Sequence, residues 1–352
     1  MYCSNSIITL RRLSYEEQKT LYLAVTLTLV LLFLTGPAVA ANIDTSLEDL
    51  RIEHYEYPIN VDSADWFNYS VIEKVNMLII PDHILARMTN AALVTAIQEY
   101  PYVGDIYIYG DSIGEAIEIM RPFFSALDEI ISRNISSQSL LNLADSLIDP
   151  AAVNGDGYSL ESFSSKATLD LLDYLCQPEV PIDPNAIVVQ PGTPSSVYTP
   201  NGSLVSCTIQ GEPHSLNKHD EDDQYWITTY GVTRVRIGSC SYNCHSYAWH
   251  SRSSANSVWI DNPSIYMSDG SYSRVYSGSS STAIITTGVA NGDIIYYGGG
   301  THSAVYIGNT ASTSAIGTGL CRSKWGERGL FQHTLGQVPA AYQTNSISIW
   351  RR

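Results

Sequence analysis

The residues in this sequence best suited to chemistry lie in SCSYNCHSYAWH, positions 239–250, and in two later stretches, Gly292-Asp293 and Thr301-His302-Ser303-Ala304-Val305-Tyr306. Cys244 follows the turn-forming Ser241-Tyr242-Asn243 and precedes Ser246-Tyr247-Ala248-Trp249, a run able to open a helix. A thiol at a helix N-terminus feels the positive end of the dipole, which favours the thiolate. His302 opens an alternating run with His302, Ala304 and Tyr306 on one face and Ser303, Val305 and Ile307 on the other. That pattern reads as a half-buried strand. A cysteine at a helix start and a histidine on a later strand form the pair that nucleophilic attack on an amide carbonyl requires. Cys244 is the expected nucleophile and His302 the expected base, with sulfur and ring nitrogen roughly 3–4 Å apart.

The same stretches resemble the papain-like amidases of bacterial cell walls, the CHAP and NlpC-like families. CHAP domains hold their nucleophile in Gln-Cys-x-x-Tyr-Ala, matched here by Asn243-Cys244-His245-Ser246-Tyr247-Ala248. Both families then carry Gly-Asp before one strand and a histidine opening the next, as in Gly292-Asp293 and His302. The resemblance covers roughly residues 235–335 and implies a secreted cysteine amidase or peptidase, needing no metal or cofactor, that cleaves peptidoglycan or peptide amides. It places Asn243 where CHAP domains have the oxyanion-hole glutamine. The chain departs from both families at the third catalytic position. CHAP domains have a Glu there and NlpC-like domains a His or Asn, whereas this chain runs through Cys321-Arg322-Ser323-Lys324-Trp325-Gly326-Glu327. Ser323, Lys324, Glu327 and His333 are all candidates to orient the imidazole. A lysine cannot accept its hydrogen bond, and Ser323 is the residue taken here. Trp249, Trp259 and Tyr266 are expected to line the substrate cleft. Two rival readings stand beside hydrolysis: a secreted binding or adhesion protein with a non-catalytic papain-like fold, and acyl transfer by the same Cys–His pair. A zinc site of Cys240, Cys244, His245 and His250 is disfavoured, because Cys-x3-Cys departs from the usual zinc spacing and no second close pair completes it.

The elements that must position these residues fall into an α+β layout: a small helical domain, then a papain-like domain in which a helix precedes an antiparallel sheet. Helices are expected over 70–78, 81–88, 90–99, 112–134 and 139–148, giving a helical domain over 44–175. Ile113, Ala116, Ile117, Met120, Phe123, Phe124 and Leu127 recur at helical spacing. Pro178, Pro181, Pro184, Pro191, Pro194 and Pro200 mark 176–203 as an extended linker. The amidase domain then spans 204–352 and is expected to fold by itself. Within it, 219–223 reads as an acidic loop, 225–229 and 232–237 as strands, and 259–278 as an aromatic-rich loop. Further strands are expected near 293–297, 303–307 and 314–323.

Arg11, Arg12 and Lys19 precede the apolar run 21–34, which ends in Ala38-Val39-Ala40. This reads as a signal peptide over 1–40, leaving an exported protein with no stable membrane insertion. Net charge is −16, which excludes nucleic acid as the expected partner. Loss of Cys3 with the leader would leave Cys176, Cys207, Cys240, Cys244 and Cys321, an odd set whose pairing is open.

Overall fold

A computed structural model describes residues 51–108, 113–149, 159–177, 192–278, 288–309, 319–344 and 346–352. The expected signal peptide and most of the proline-rich linker lie outside these residues. The described chain belongs to one compact unit, Arg51–Arg352.

Its first half is helical: α1 (Val71–Met77), α2 (Asp82–Leu85), α3 (Asn90–Gln98), α4 (Ile113–Met120), α5 (Ser125–Ser132), α6 (Ser137–Leu147) and α7 (Leu160–Cys176). Ser70 and Glu73 form a reciprocal capping box at α1, and Thr89, Ser136 and Ser159 cap α3, α6 and α7. Such side chains satisfy backbone N–H groups that have no partner within the helix. The single helix expected over 112–134 is two, α4 and α5, separated by a turn at Arg121–Phe123. Among the described residues no helix is long and apolar enough to cross a membrane.

The second half opens with the hairpin β1 (Thr193–Tyr198) and β2 (Leu204–Ile209). The last part of the expected linker is therefore paired strand. Next comes α8 (Leu216–Tyr230), capped by Ser215 and ended by left-handed Gly231. This corrects two expectations, since 219–223 is helix rather than loop and 225–229 is helix rather than strand. His219, Asp222, Asp223, Trp226 and Tyr230 recur at helical spacing and are buried. Asp222 pairs with Arg328 and Lys218. Asp223 accepts the Gly238 and Gly329 N–H groups. These partners allow acidic residues to occupy an inward face.

The remaining elements are β3 (Thr233–Arg236), a π-helical turn (Ser246–His250), β4 (Val258–Trp259), α9 (Ser264–Ser268), β5 (Ser273–Gly278), β6 (Ile294–Tyr297), β7 (Ser303–Asn309), β8 (Gly319–Lys324), β9 (Leu330–Thr334) and β10 (Ile347–Arg351). β4, α9 and β5 occupy the region expected as loop. Seven strands form an antiparallel sheet in the order β3-β9-β8-β7-β6-β10-β5, and β1-β2-β4 form a smaller one. The architecture is α+β.

Each face of the large sheet covers a different core. Tyr297, Ala304, Tyr306, Cys321, Phe331 and Ile349 join Trp226, Tyr230 and the N-terminal helices in one continuous apolar cluster. Ile294, Val305 and Leu330 join Tyr247, Trp249, Ile260 and Tyr266 in a second. Polar bonds seal the first core: Trp66 donates to the Thr229 carbonyl at 2.8 Å, and the Tyr230 hydroxyl donates to Asp105 at 2.6 Å. The helical region and the sheet thus share one interior.

Candidate functional site

Cys244 is the first residue of the helical segment that runs into the π-helical turn, and Asn243 caps it. The Asn243 Oδ1 accepts the N–H of Ser246 at 3.0 Å and of Ile260 at 3.3 Å, while Nδ2 donates to the Ile260 carbonyl at 2.8 Å. Asn243 therefore pins the helix start to the segment after β4. Its amide is committed to backbone rather than held free for an oxyanion. Beyond it, Ser251 N–H reaches back to the Ser246 carbonyl at 2.9 Å, the wider winding that defines the π turn.

The Cys244 sulfur lies where the backbone N–H groups of Ser303, His245 and Cys244 itself act on it. Burial pushes the thiol up to about 11, against these amides and the charge of Lys324, which both favour the anion. The thiol is therefore protonated at neutral pH in this arrangement. His245 lies beside it, with Nε2 donating to the Gly300 carbonyl at 3.0 Å and Nδ1 accepting the Ser303 hydroxyl at 2.8 Å. Burial lowers the His245 pKa to about 4, so the ring is neutral. Trp249 Nε1 also donates to Ser303 Oγ at 2.9 Å. β7 thus turns Ser303, not His302, toward the Cys244 helix.

His302 occupies the other face. Its ring stacks on Tyr342 at 4.1 Å between centroids and lies 5.2 Å from Tyr297. It is fully buried, and neither ring nitrogen has a hydrogen-bond partner. Burial, followed by the neighbouring His333 and His245, holds its pKa well below the ordinary value. The alternation expected along β7 is present, but it carries His302 away from Cys244, and no hydrogen bond joins the two. Ser323 is on the His302 side, where it bonds His333 Nε2 at 2.6 Å and accepts Trp325 Nε1 at 2.9 Å. His333 Nδ1 donates to the Thr334 carbonyl at 2.7 Å, so Nε2 is the acceptor and Ser323 the donor. Ser323 therefore orients His333 and makes no hydrogen bond to His302.

The expected cleft residues divide similarly. Trp249 and Tyr266 are buried in the smaller core, with Trp249 also against Tyr272 and Trp350. Trp259 is half-buried on β4. Two surface clefts, one beside His54, Tyr57 and Glu161 and the other beside Phe67, Lys74 and Gly231, do not include Cys244. The Gly292-Asp293 pair is structural: Asp293 accepts Arg351 Nη2 at 2.6 Å and the Ala290 N–H at 2.8 Å.

The four residues of the disfavoured zinc set are not brought together. His250 Nδ1 lies 3.5 Å from the Tyr266 hydroxyl, and His245 is held by Ser303 and Gly300. Cys176, Cys207, Cys240, Cys244 and Cys321 are all free thiols. Two residues that the spacing did not single out as ligands, His214 and Glu212, lie beside Cys240. Comparison with family models, curated proteins and solved structures gives no match to this chain.

Proposed function

We propose that the C-terminal region is a papain-like cysteine amidase or peptidase, with Cys244 as its nucleophile and cell-wall peptide amides as its substrate class. One observation carries the reading: Cys244 begins a buried helix, with the N–H groups of His245, Ser303 and its own backbone converging on the sulfur. Fixed amide dipoles of this kind stabilise a thiolate and, in turn, the oxyanion of a tetrahedral adduct. The substrate class comes from the resemblance to CHAP and NlpC-like domains.

In the reaction the Cys244 proton passes to His302 while sulfur bonds the carbonyl carbon. Collapse of the adduct breaks the C–N bond, His302 returns the proton to the leaving amine, and water hydrolyses the thioester. This requires the His302 ring to leave its stacked position. The ring is attached one residue before the Ser303 N–H that faces Cys244, and no hydrogen bond holds it. It also follows Gly298-Gly299-Gly300, where Gly299 and Gly300 have φ of 89° and 83°. Backbone of that kind is open chiefly to glycine.

The raised Cys244 pKa and the averted His302 favour a second reading, a binding protein that keeps the papain-like frame without turnover. Iodoacetamide labelling near neutral pH, mapped by mass spectrometry, separates the two. An amidase should alkylate at Cys244 faster than at the half-exposed Cys176 and should release peptide from purified peptidoglycan, with both effects lost in Cys244→Ser. Labelling of Cys244 no faster than Cys176, with no release, leaves the binding reading.

A further inference from the structure

Away from Cys244, three segments bring five metal-binding side chains to one end of the large sheet. Glu212 and His214 precede α8, and His219 lies in its first turns. Cys240 is on the loop after β3, and Glu327 is on the turn between β8 and β9. The ligand atoms of Glu212, His219 and Cys240 lie within 4.8 Å of one another, as do those of His214, Cys240 and Glu327. Cys240 belongs to both groups and stands at their centre.

The surrounding bonds arrange this cluster. Cys240 N–H donates to Glu212 Oε2 at 2.8 Å, while Glu212 Oε1 meets His219 Nε2 at 2.8 Å. The Ser239 N–H donates to the Glu327 carbonyl at 2.9 Å, locking the Cys240 loop to the β8–β9 turn. The rings of His214 and His219 are 5.5 Å apart, edge to face. His219, Cys240 and Glu327 are buried, and His219 Nδ1 has no partner. Glu212 and His214 are the more exposed members, leaving a route in from solvent.

We infer that Glu212, His219 and Cys240, with His214 or Glu327 drawn in through Cys240 as the fourth ligand, form a structural zinc site that clamps α8 to the loop leading into Cys244. Thiolate and imidazole together select a borderline-soft ion such as Zn²⁺ over Ca²⁺ or Mg²⁺. Separations below 4.8 Å need only a modest contraction, since tetrahedral ligands at about 2.0–2.3 Å from zinc lie roughly 3.3–3.8 Å apart. Lys324 donates to the Ser239 carbonyl at 2.8 Å, at the edge of the cluster. Binding forms the sulfur–metal bond and releases the Cys240 proton to solvent.

The inference does not depend on the amidase reading, and its test does not use activity. The full chain, stripped with a chelator and dialysed against zinc, should retain about one ion per molecule. Cobalt in place of zinc should give intense thiolate-to-metal charge-transfer absorption with tetrahedral visible bands. Zinc should slow alkylation of Cys240 at least tenfold in the otherwise unaltered protein, an arm that needs no variant to fold. Cys240→Ser and His219→Gln should lose the tight site, whereas Cys244→Ser should keep it. Failure to retain zinc, absence of the thiolate band, or unprotected Cys240 in the zinc-loaded protein each overturn the site. Loss of zinc with Cys244→Ser but not with Cys240→Ser would place the ion elsewhere and equally overturn it.

Discussion

At the scale of single residues, Asn243 and the buried histidines show how much of this site is frame and how much is chemistry. Asn243→Ala removes a helix cap, worth about 1 kcal/mol. It also leaves the Ile260 carbonyl and N–H buried without their partner, at about 1–3 kcal/mol each. The variant should therefore unfold several degrees earlier and lose Cys244 labelling, because the amides aimed at the sulfur lose their fixed direction. Thermal unfolding beside mass-mapped alkylation checks both. His245 and His333 sit near pKa 4 through burial. A lowered histidine pKa means that the unfolded chain binds more protons, so stability rises with pH. Each contribution is full above about pH 6.5 and is lost as pH falls toward 4, on the order of 2 kcal/mol apiece at pH 5. Asp105 runs the opposite way, because burial raises it to about 7. The decisive measurement is thus residue-specific. Imidazole ¹⁵N shifts of His245, His302 and His333 should remain those of neutral rings at pH 5.5, and protonated signals there would contradict the packing described.

At the scale of elements, Asp223 is the joint that aligns the site's supporting segments. One carboxylate on α8 accepts Gly238 N–H at 2.9 Å and Gly329 N–H at 2.6 Å, tying the loop before Cys240 to the start of β9. Asp223→Ala would leave both amides buried and unpaired and should cost at least about 3 kcal/mol. Urea unfolding should show a lower midpoint with little change in slope. The same element marks the limit of what the sequence reveals. Aromatic and β-branched residues at 225–229 suggest a strand, and the charges at 219–223 suggest solvent. The helical repeat of His219, Asp222, Asp223, Trp226 and Tyr230 emerges only when buried acids are allowed partners such as Arg328, which lies far along the chain. β7 is a different case. Its two faces are legible from the alternation of residues 302–307. A period of two does not say which face meets the helix, so Cys244 was found at its expected helix start while His302 pointed the other way.

Across the whole molecule, the helical region and the sheet have a common interior, which alters the expectation drawn from the proline-rich stretch. Trp226, Tyr225 and Tyr230 are fully or almost fully buried, and they pack against Tyr102, Phe163 and Trp325 from both halves. A fragment of 192–352 would expose these rings as an apolar patch, a liability for solubility. It should aggregate on expression, whereas co-expression with 51–177 should recover soluble material. A monomeric, cooperatively melting fragment would show instead that the second half closes its own core.

The order of strands in the large sheet also sets a timetable for assembly. β5 pairs only with β10, and β10 supplies its connection to β6. Of all the described strands, β10 is the last to emerge from the ribosome. Until it arrives, β5 is an edge with no neighbour and β6 is open along one side. Such distant pairings pay their loop-closure entropy before any contact rewards it, so completion of the sheet is a slow, late event. A nascent chain stalled before Ile347 would thus hold Cys244 beside a half-built sheet, and the Cys244 helix acquires its full surroundings, Trp350 against Trp249 among them, only when the final residues of β10 are in place.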